Sequence, residues 1–365
     1  MSTHPTTGTI LANDPERPAA TCEGLREWVS SGACRGAGGA FVAWFDLANG
    51  SRSYDYPEIS GYALTYLANQ TFLSEGERSA GHRAADWLNE RVRAGNLAAR
   101  DGWDNDAVYL FDLGMIAAGL LSFGRRTEVE RYVEAGRRLV DFLGDEIRST
   151  QSISPVSRRG PQSERAGWSS RGVPHLAKLV QAFLLADELA DGIYRRVAAR
   201  LIETIKRLQA ADGRMQTDED ETRTMLHPHL YAAEGLWIWG SAAHDDDALQ
   251  RARLATEWAF THQLEQGGLP RFAANGKRRG AAPEQSDVTA QAVRLALALG
   301  LRFSAVDRAL TRLIEVARGD ERGLAIVYQP DSPDIHLSTW ATLFAAQALA
   351  MAVPGAAPIS WKELV

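Results

Sequence analysis

The stretch Gly114-Met115-Ile116-Ala117-Ala118-Gly119-Leu120-Leu121 carries no charge, whereas Glu128, Glu130, Arg131, Glu134, Arg137 and Arg138 just beyond it spread charge along one face of the next helical pattern. A helix without a polar face has to be covered on all sides, and one with a single charged face lies at a surface. The same contrast recurs along the chain. Leu343-Phe344-Ala345-Ala346-Gln347-Ala348-Leu349 is another uncharged run, and apolar residues hold three- and four-residue spacing in Ile59, Tyr62, Ala63, Tyr66 and Leu67 and again in Val288, Ala292, Val293, Leu295 and Ala296. Strand-like alternation is nearly absent.

Taking Gly, Pro and Asp clusters as breaks, the spacing predicts helices at roughly 21–30, 58–73, 76–94, 106–124, 127–147, 172–190, 192–210, 228–242, 246–266, 286–302, 305–319 and 338–352. The set with little internal charge starts near 58, 106, 172, 228, 286 and 338, at intervals of 48, 66, 56, 58 and 52 residues, which points to an array of repeats. Twelve helices alternating in this way make six hairpins in two concentric rings. The expected fold is therefore all-α, an (α/α)6 toroid with short β-hairpin excursions in its return loops. Residues 1–20 read as a flexible leader, 21–353 as one toroid and 354–365 as a C-terminal tail.

Turns from uncharged to charged helices are short, and the returns are long and Gly-rich. Gln209-Ala210-Ala211-Asp212-Gly213-Arg214-Met215, Gln266-Gly267-Gly268-Leu269-Pro270-Arg271-Phe272 and Gly323-Leu324-Ala325-Ile326-Val327-Tyr328 share a glycine and a short extended run. Such a ring has one plain face and one elaborated face. On the elaborated face six inner helices would point their N-termini, with their unpaired amides and positive dipole ends, at one mouth.

The composition, 365 residues with 45% hydrophobic and 24% charged, is that of an ordinary globular protein. No run approaches the length of a membrane span, and the first residues are rich in Thr, Pro and Asp rather than basic and then apolar, so the reading is cytoplasmic, with no membrane partner. Cys22 and Cys34 lack further ligands at zinc spacing, which leaves two free thiols, no metal and no cofactor as the expectation. A formal charge of −6 argues against nucleic acid. A homodimer remains open.

Charge is uneven. Arg148, Arg158, Arg159, Arg165 and Arg171 against Glu164 make one return basic, and Arg271, Lys277, Arg278 and Arg279 against Glu284 make a second one basic. Two positive loops at the rim of a mouth of helix N-termini would draw an anionic small molecule.

The helix starts collect polar and aromatic side chains: Tyr56 and Glu58; Trp103, Asp104 and Asp106; Trp168, Arg171 and His175; His227, His229 and Glu234; Asp287; His336 and Trp340. An acid at such a place is often only a cap, which would account for Asp106 or Asp287 taken singly. Histidine is more telling, because four of the eight fall within a turn of an inner-helix start and imidazole transfers protons near neutral pH. Trp103, Trp168 and Trp340 offer faces on which a sugar ring can stack.

The pattern resembles the α/α six-hairpin toroids, among them the N-acylglucosamine 2-epimerases, unsaturated glucuronyl hydrolases and terpenoid cyclases. His227-Pro228-His229-Leu230-Tyr231-Ala232-Ala233-Glu234 is similar to a run on an inner helix of the 2-epimerases, with Tyr231 where that run has histidine. The epimerases' second motif is missing, and the corresponding helix opens with Gln285-Ser286-Asp287-Val288. The resemblance implies a carbohydrate-active enzyme, and with the histidines it suggests a metal-independent epimerase or isomerase acting on an anionic sugar. In that scheme His229 and His336 are base and acid, with His227 beside them. Glu58 or Asp287 orients a histidine or a sugar hydroxyl, and Arg171 and Arg271 meet the anion. A glycoside hydrolase or lyase using carboxylates among Glu58, Asp104, Asp106 and Asp287 is the alternative. A terpenoid cyclase and a noncatalytic glycan- or partner-binding toroid are the others.

Overall fold

The computed structural model describes residues 16–97, 107–149, 153–157, 169, 172–217, 222–274 and 282–365. Twelve α-helices stand among them: α1 Glu16–Ser31, α2 Pro57–Ala68, α3 Glu75–Arg93, α4 Leu110–Thr127, α5 Glu130–Arg148, α6 Val180–Asp187, α7 Ile193–Lys206, α8 Leu226–Ala243, α9 Asp246–Phe260, α10 Ser286–Ala298, α11 Ser304–Glu315 and α12 Thr339–Ala352. The even-numbered helices form the inner ring and the odd-numbered ones the outer ring. Contacts run from α2 through α4, α6, α8, α10 and α12 back to α2, so the ring closes.

Several helices end short of their expected bounds, and at three boundaries the local reason is plain. The helix expected from 21 begins at Glu16, whose carboxylate favours a first turn. The inner helix expected from 172 opens as a 3-10 helix, Pro174–Leu179, before α6, because Pro174 sets the first turn. The helix expected to reach 319 stops at Glu315 and the chain turns into a strand, Ala317–Asp320.

Glycines on the inner helices allow close approach. At the α2–α4 crossing Gly61 lies against Gly119, and a Cβ on Gly61 would sit 2.5 Å from the Met115 carbonyl oxygen. The outer helices keep one buried face. In α5 it is Tyr132, Val133, Leu139, Val140, Leu143 and Ile147, while its charged residues other than Glu146 look outward.

Short strands tie the returns together. Strands β1 Trp44–Asp46, β4 Ala317–Asp320, β5 Gly323–Val327 and β6 His336–Ser338 form one sheet in the order β1-β6-β5-β4, and β2 Arg223–Met225 pairs antiparallel with β3 Phe272–Ala274. The β1–β6 pairing sets Trp44 opposite Ser338 and Asp46 opposite His336. It fastens the first return to the last, on the face where the inner helices begin.

The returns also share a joint. Gly39, Gly213, Gly267 and Gly323 all take φ between 95° and 113°, a left-handed conformation, and each lies against the backbone of an outer helix. A Cβ on Gly267 would come within 2.7 Å of the Arg308 carbonyl oxygen, so glycine is required by both φ and space. Gln209 and Gln263 precede two of these glycines by four residues and hook them in one way. Gln209 Nε2 donates to the carbonyls of Gly213 (3.2 Å) and Arg251 (2.9 Å), and Gln263 Nε2 donates to those of Gly267 (2.8 Å) and Ala305 (2.7 Å). The repeating glutamine of the second return is thus Gln263 rather than Gln266.

Residues 354–365 fold back under the plain face. The Gln181 amide reaches the carbonyls of Trp361, Lys362 and Leu364 at 3.3, 3.2 and 2.8 Å, and Leu364 and Val365 are fully buried. No helix among the described residues is long and apolar enough to cross a membrane. Cys22 and Cys34 are free thiols.

Candidate functional site

The second residue of each inner helix is Glu58 in α2, Phe111 in α4, His175 in the 3-10 helix, His227 in α8, Asp287 in α10 and Trp340 in α12. These six side chains form the ring of the mouth. Its best-defined part is the arc from α8 to α12. His227 Nδ1 lies 3.8 Å from Asp287 Oδ2, and the same oxygen accepts the Trp340 indole N–H at 2.9 Å. Asp287 Oδ1 takes the Val288 N–H at 2.9 Å, and Gln285 Nε2 reaches Oδ2 at 3.5 Å. Asp287 is only 1% exposed, whereas His227, Trp340 and Glu58 are half-buried.

Below this ring the inner helices continue inward at helical spacing. His227, Tyr231 and Glu234 form one stripe, Asp287, Gln291 and Arg294 the next, and Trp340, Phe344 and Gln347 a third. Apart from Gln291 the middle layer is aromatic. The Tyr231 ring meets His227 at 4.4 Å and Phe111 at 4.5 Å, Phe111 meets His175 at 5.4 Å, and Tyr62 stands edge-on to Phe344 at 5.3 Å.

The third layer is charged and sealed. Glu234 pairs with Lys178 Nζ at 2.6 Å and with Arg294 Nη2 at 2.5 Å, all three side chains being fully buried. Arg294 also lies 3.7 Å over the Phe344 ring, and Lys178 Nζ donates to the Val365 carbonyl at 2.8 Å. Burial works against the Lys178 ammonium and lowers its pKa, while Glu234 opposes that shift. Glu234, expected to bind substrate, is instead the counter-ion of this floor.

Burial also shapes the histidines. It pushes His175 down to about 3, with His227 adding a smaller effect in the same direction. It lowers His227 as well, against the pull of Asp287 and Glu234. His227 is therefore a neutral imidazole beside a carboxylate near pH 7, poised to accept a proton.

His229, two residues on, turns the other way. Its Nδ1 accepts the Met215 N–H at 3.2 Å, its Nε2 donates to the Ala255 carbonyl at 2.8 Å, and its ring packs on Trp258 at 4.8 Å. Both nitrogens are thus engaged with backbone, and the ring faces the outer helix α9. Three other returns make the corresponding bond to a hydroxyl at the same helix position. Phe41 N–H donates to Ser60, Leu269 N–H to Thr289 and Ile326 N–H to Thr342, at 2.9, 2.8 and 3.0 Å. His229 is the α8 version of this loop anchor, which removes it from the acid–base role the sequence suggests for it.

The remaining expected residues divide. Tyr56 is buried as the residue before Pro57, 5.4 Å from Tyr54. His336 is at the rim on β6, stacked on Trp44 at 5.4 Å, with Nε2 3.9 Å from Asp46. Arg271 is exposed just before β3. Trp103, Asp104, Asp106, Trp168 and Arg171 lie outside the described residues. Among the described residues no three His, Cys, Asp or Glu side chains gather as metal ligands. Sequence reading missed Phe111, Lys178, Arg294 and Tyr328. The shared spacing of the three stripes is the signal that could have found Arg294.

No family model matches the chain, and no curated protein matches it in sequence. Solved structures do match. The unsaturated glucuronyl hydrolase of Bacillus sp. GL1, described as responsible for the degradation of glycosaminoglycan, superposes with a TM-score of 0.68 at 16% identity, covering 92% of this chain and 97% of its own. A variant of the unsaturated glucuronyl hydrolase of Streptococcus agalactiae complexed with dGlcA-GalNAc6S gives 0.66 at 13%, covering 97% and 98%. A sugar epimerase from a ruminal bacterium gives 0.71 at 10%, covering 94% and 99%. The fold is the (α/α)6 toroid. At these identities the likeness is one of fold, and the chemistry of this toroid has to be argued from its own mouth.

Proposed function

We propose that this toroid is a carbohydrate-active enzyme that moves a proton beside the carbonyl of an anionic sugar, as an epimerase or isomerase does. The observation that carries the reading is the pair His227 and Asp287, a neutral imidazole 3.8 Å from a carboxylate at the open end of the ring. In this reading His227 takes the proton from the carbon next to the carbonyl. Asp287, held by the Trp340 indole, stabilises the imidazolium that results. Arg271 at the rim, on one of the two basic returns, supports an anionic substrate.

A second reading has its own support. Glu58 and Asp287 are both second residues of inner helices, and two of the three solved structures named above are glucuronyl hydrolases. Hydrolysis of a glycosidic bond uses two carboxyl groups flanking it. One experiment separates the two. The protein is incubated in deuterated water with a panel of uronates, N-acyl sugars and short uronate-ended oligosaccharides. Deuterium at the carbon beside the carbonyl supports proton exchange. Release of reducing ends without deuterium incorporation transfers the site to hydrolysis, and neither outcome from the panel removes both readings.

A further inference from the structure

Tyr328 lies between β5 and β6 and is fastened on both sides. Its N–H donates to the His336 carbonyl at 2.8 Å, and its own carbonyl accepts the N–H of Ser286, first residue of α10, at 3.0 Å. Its ring stands edge-on to Trp340 at 5.4 Å. Its hydroxyl accepts a hydrogen bond from Gln285 Nε2, the nitrogen that also reaches Asp287. Among the described residues no acceptor meets the phenolic proton. Three ionisable groups face this hydroxyl. Asp287 from α10 and Tyr54 from the first return raise its pKa along with burial, and Arg271 from the return before α10 works the other way. The net shift is upward, so the phenol keeps its proton.

Asp287 thus has a different polar neighbour on either side. His227 approaches from α8, and the Gln285–Tyr328 pair approaches beside α12. Resting on the proton-exchange reading above, we infer that Tyr328 is a catalytic hydrogen-bond donor to the sugar carbonyl oxygen. When His227 takes the carbon-bound proton, the electron pair of that C–H bond moves into a new C=C bond and the C=O pair moves onto oxygen. The Tyr328 O–H stabilises the resulting enolate oxygen without giving up its proton. Return of a proton to carbon restores the carbonyl and closes the balance. A rigid donor aimed at developing charge needs no reorganisation, and removing one such donor costs about 10²–10³ in kcat.

The test uses Tyr328→Phe, which keeps the ring against Trp340, in the deuterium-exchange assay with the sugar that the wild type turns over. The expected result is a fall in kcat of about 10²-fold, a KM within about twofold, and an unchanged melting temperature. Gln285→Leu, which removes the bond to the hydroxyl but leaves the phenol, should cost only a few-fold. Wild-type turnover by Tyr328→Phe overturns the inference. Equal losses in the two variants also overturn it, because Tyr328 would then act only through the frame around Asp287. If Tyr328→Phe is unstable, Gln285→Leu decides, since a loss of about 10²-fold there assigns the effect to that frame. Absence of exchange in the wild type on every sugar is a different failure, that of the reaction itself.

Discussion

Two charged regions share the axis of this ring and have opposite characters. At the mouth, Asp287 meets His227 and the Trp340 indole beside half-exposed side chains. Two layers deeper, Glu234 is clasped by Lys178 and Arg294 with no solvent contact at all. His227 and Glu234 share one stripe, Asp287 and Arg294 share the next, and depth separates the two regions. A carboxylate at the open end can change partners during a reaction. One at the floor is held by two cations and can only be lost at a cost, because any unpaired charge left there is stranded in low dielectric.

The sharpest break of that comparison is Glu234→Ala. Breaking a buried ion pair by removing one partner costs about 3–5 kcal/mol, and here the permanently charged Arg294 is left uncompensated. Thermal and denaturant unfolding should show a large loss. A melting temperature equal to wild type would mean that water reaches the floor, and the two regions would no longer differ.

The two histidines of α8 sharpen the same contrast at one helix turn. His227→Asn should lower turnover by about 10²-fold or more with little change in stability, as expected for loss of a general base. His229→Ala should destabilise by about 1–3 kcal/mol, since it strands the buried Met215 N–H, and should leave turnover per folded molecule near wild type. Opposite results would exchange the two roles.

A smaller effect is the acid limb of stability. His175 and His229 are held at about 3 and about 4 in the folded protein, against an ordinary 6.5. Between those values the unfolded chain binds protons that the folded protein excludes. Their contribution is therefore intact above about pH 6.5 and is lost as pH falls toward 4 and then 3. The melting temperature should drop from pH 6.5 to 5, above most carboxylate titration, and His229→Gln should flatten that slope. An identical slope in the variant would show that the His229 ring takes up its proton without penalty.

Much of the architecture is legible in the sequence. Uncharged runs such as Gly114–Leu121 next to the charged face of α5 identify inner and outer helices from burial alone, since no other placement covers the first and solvates the second. The mouth ring was also largely readable. Five of its six members are polar or aromatic residues at predicted helix starts, and Phe111 escaped because it looks like any core residue. The error at His229 has a clear origin. Residues 227 and 229 are equally close to the helix start in sequence, but two residues on a helix point about 200° apart, so one enters the ring and the other meets α9.

By itself, then, the amino-acid sequence determined the alternation of buried and charged helices, the glycine-bearing returns and the end of the ring at which polar residues gather. These depend on residue type and periodicity, which are local. Only the tertiary structure decided that His227 and Asp287 are partners, that Glu234 belongs to a sealed floor and that Tyr328 comes up beside the carboxylate. Each of those pairs joins different helices or returns, and which neighbour an ionisable group meets, and how much water remains there, is set by the closing of the ring rather than by any run of residues.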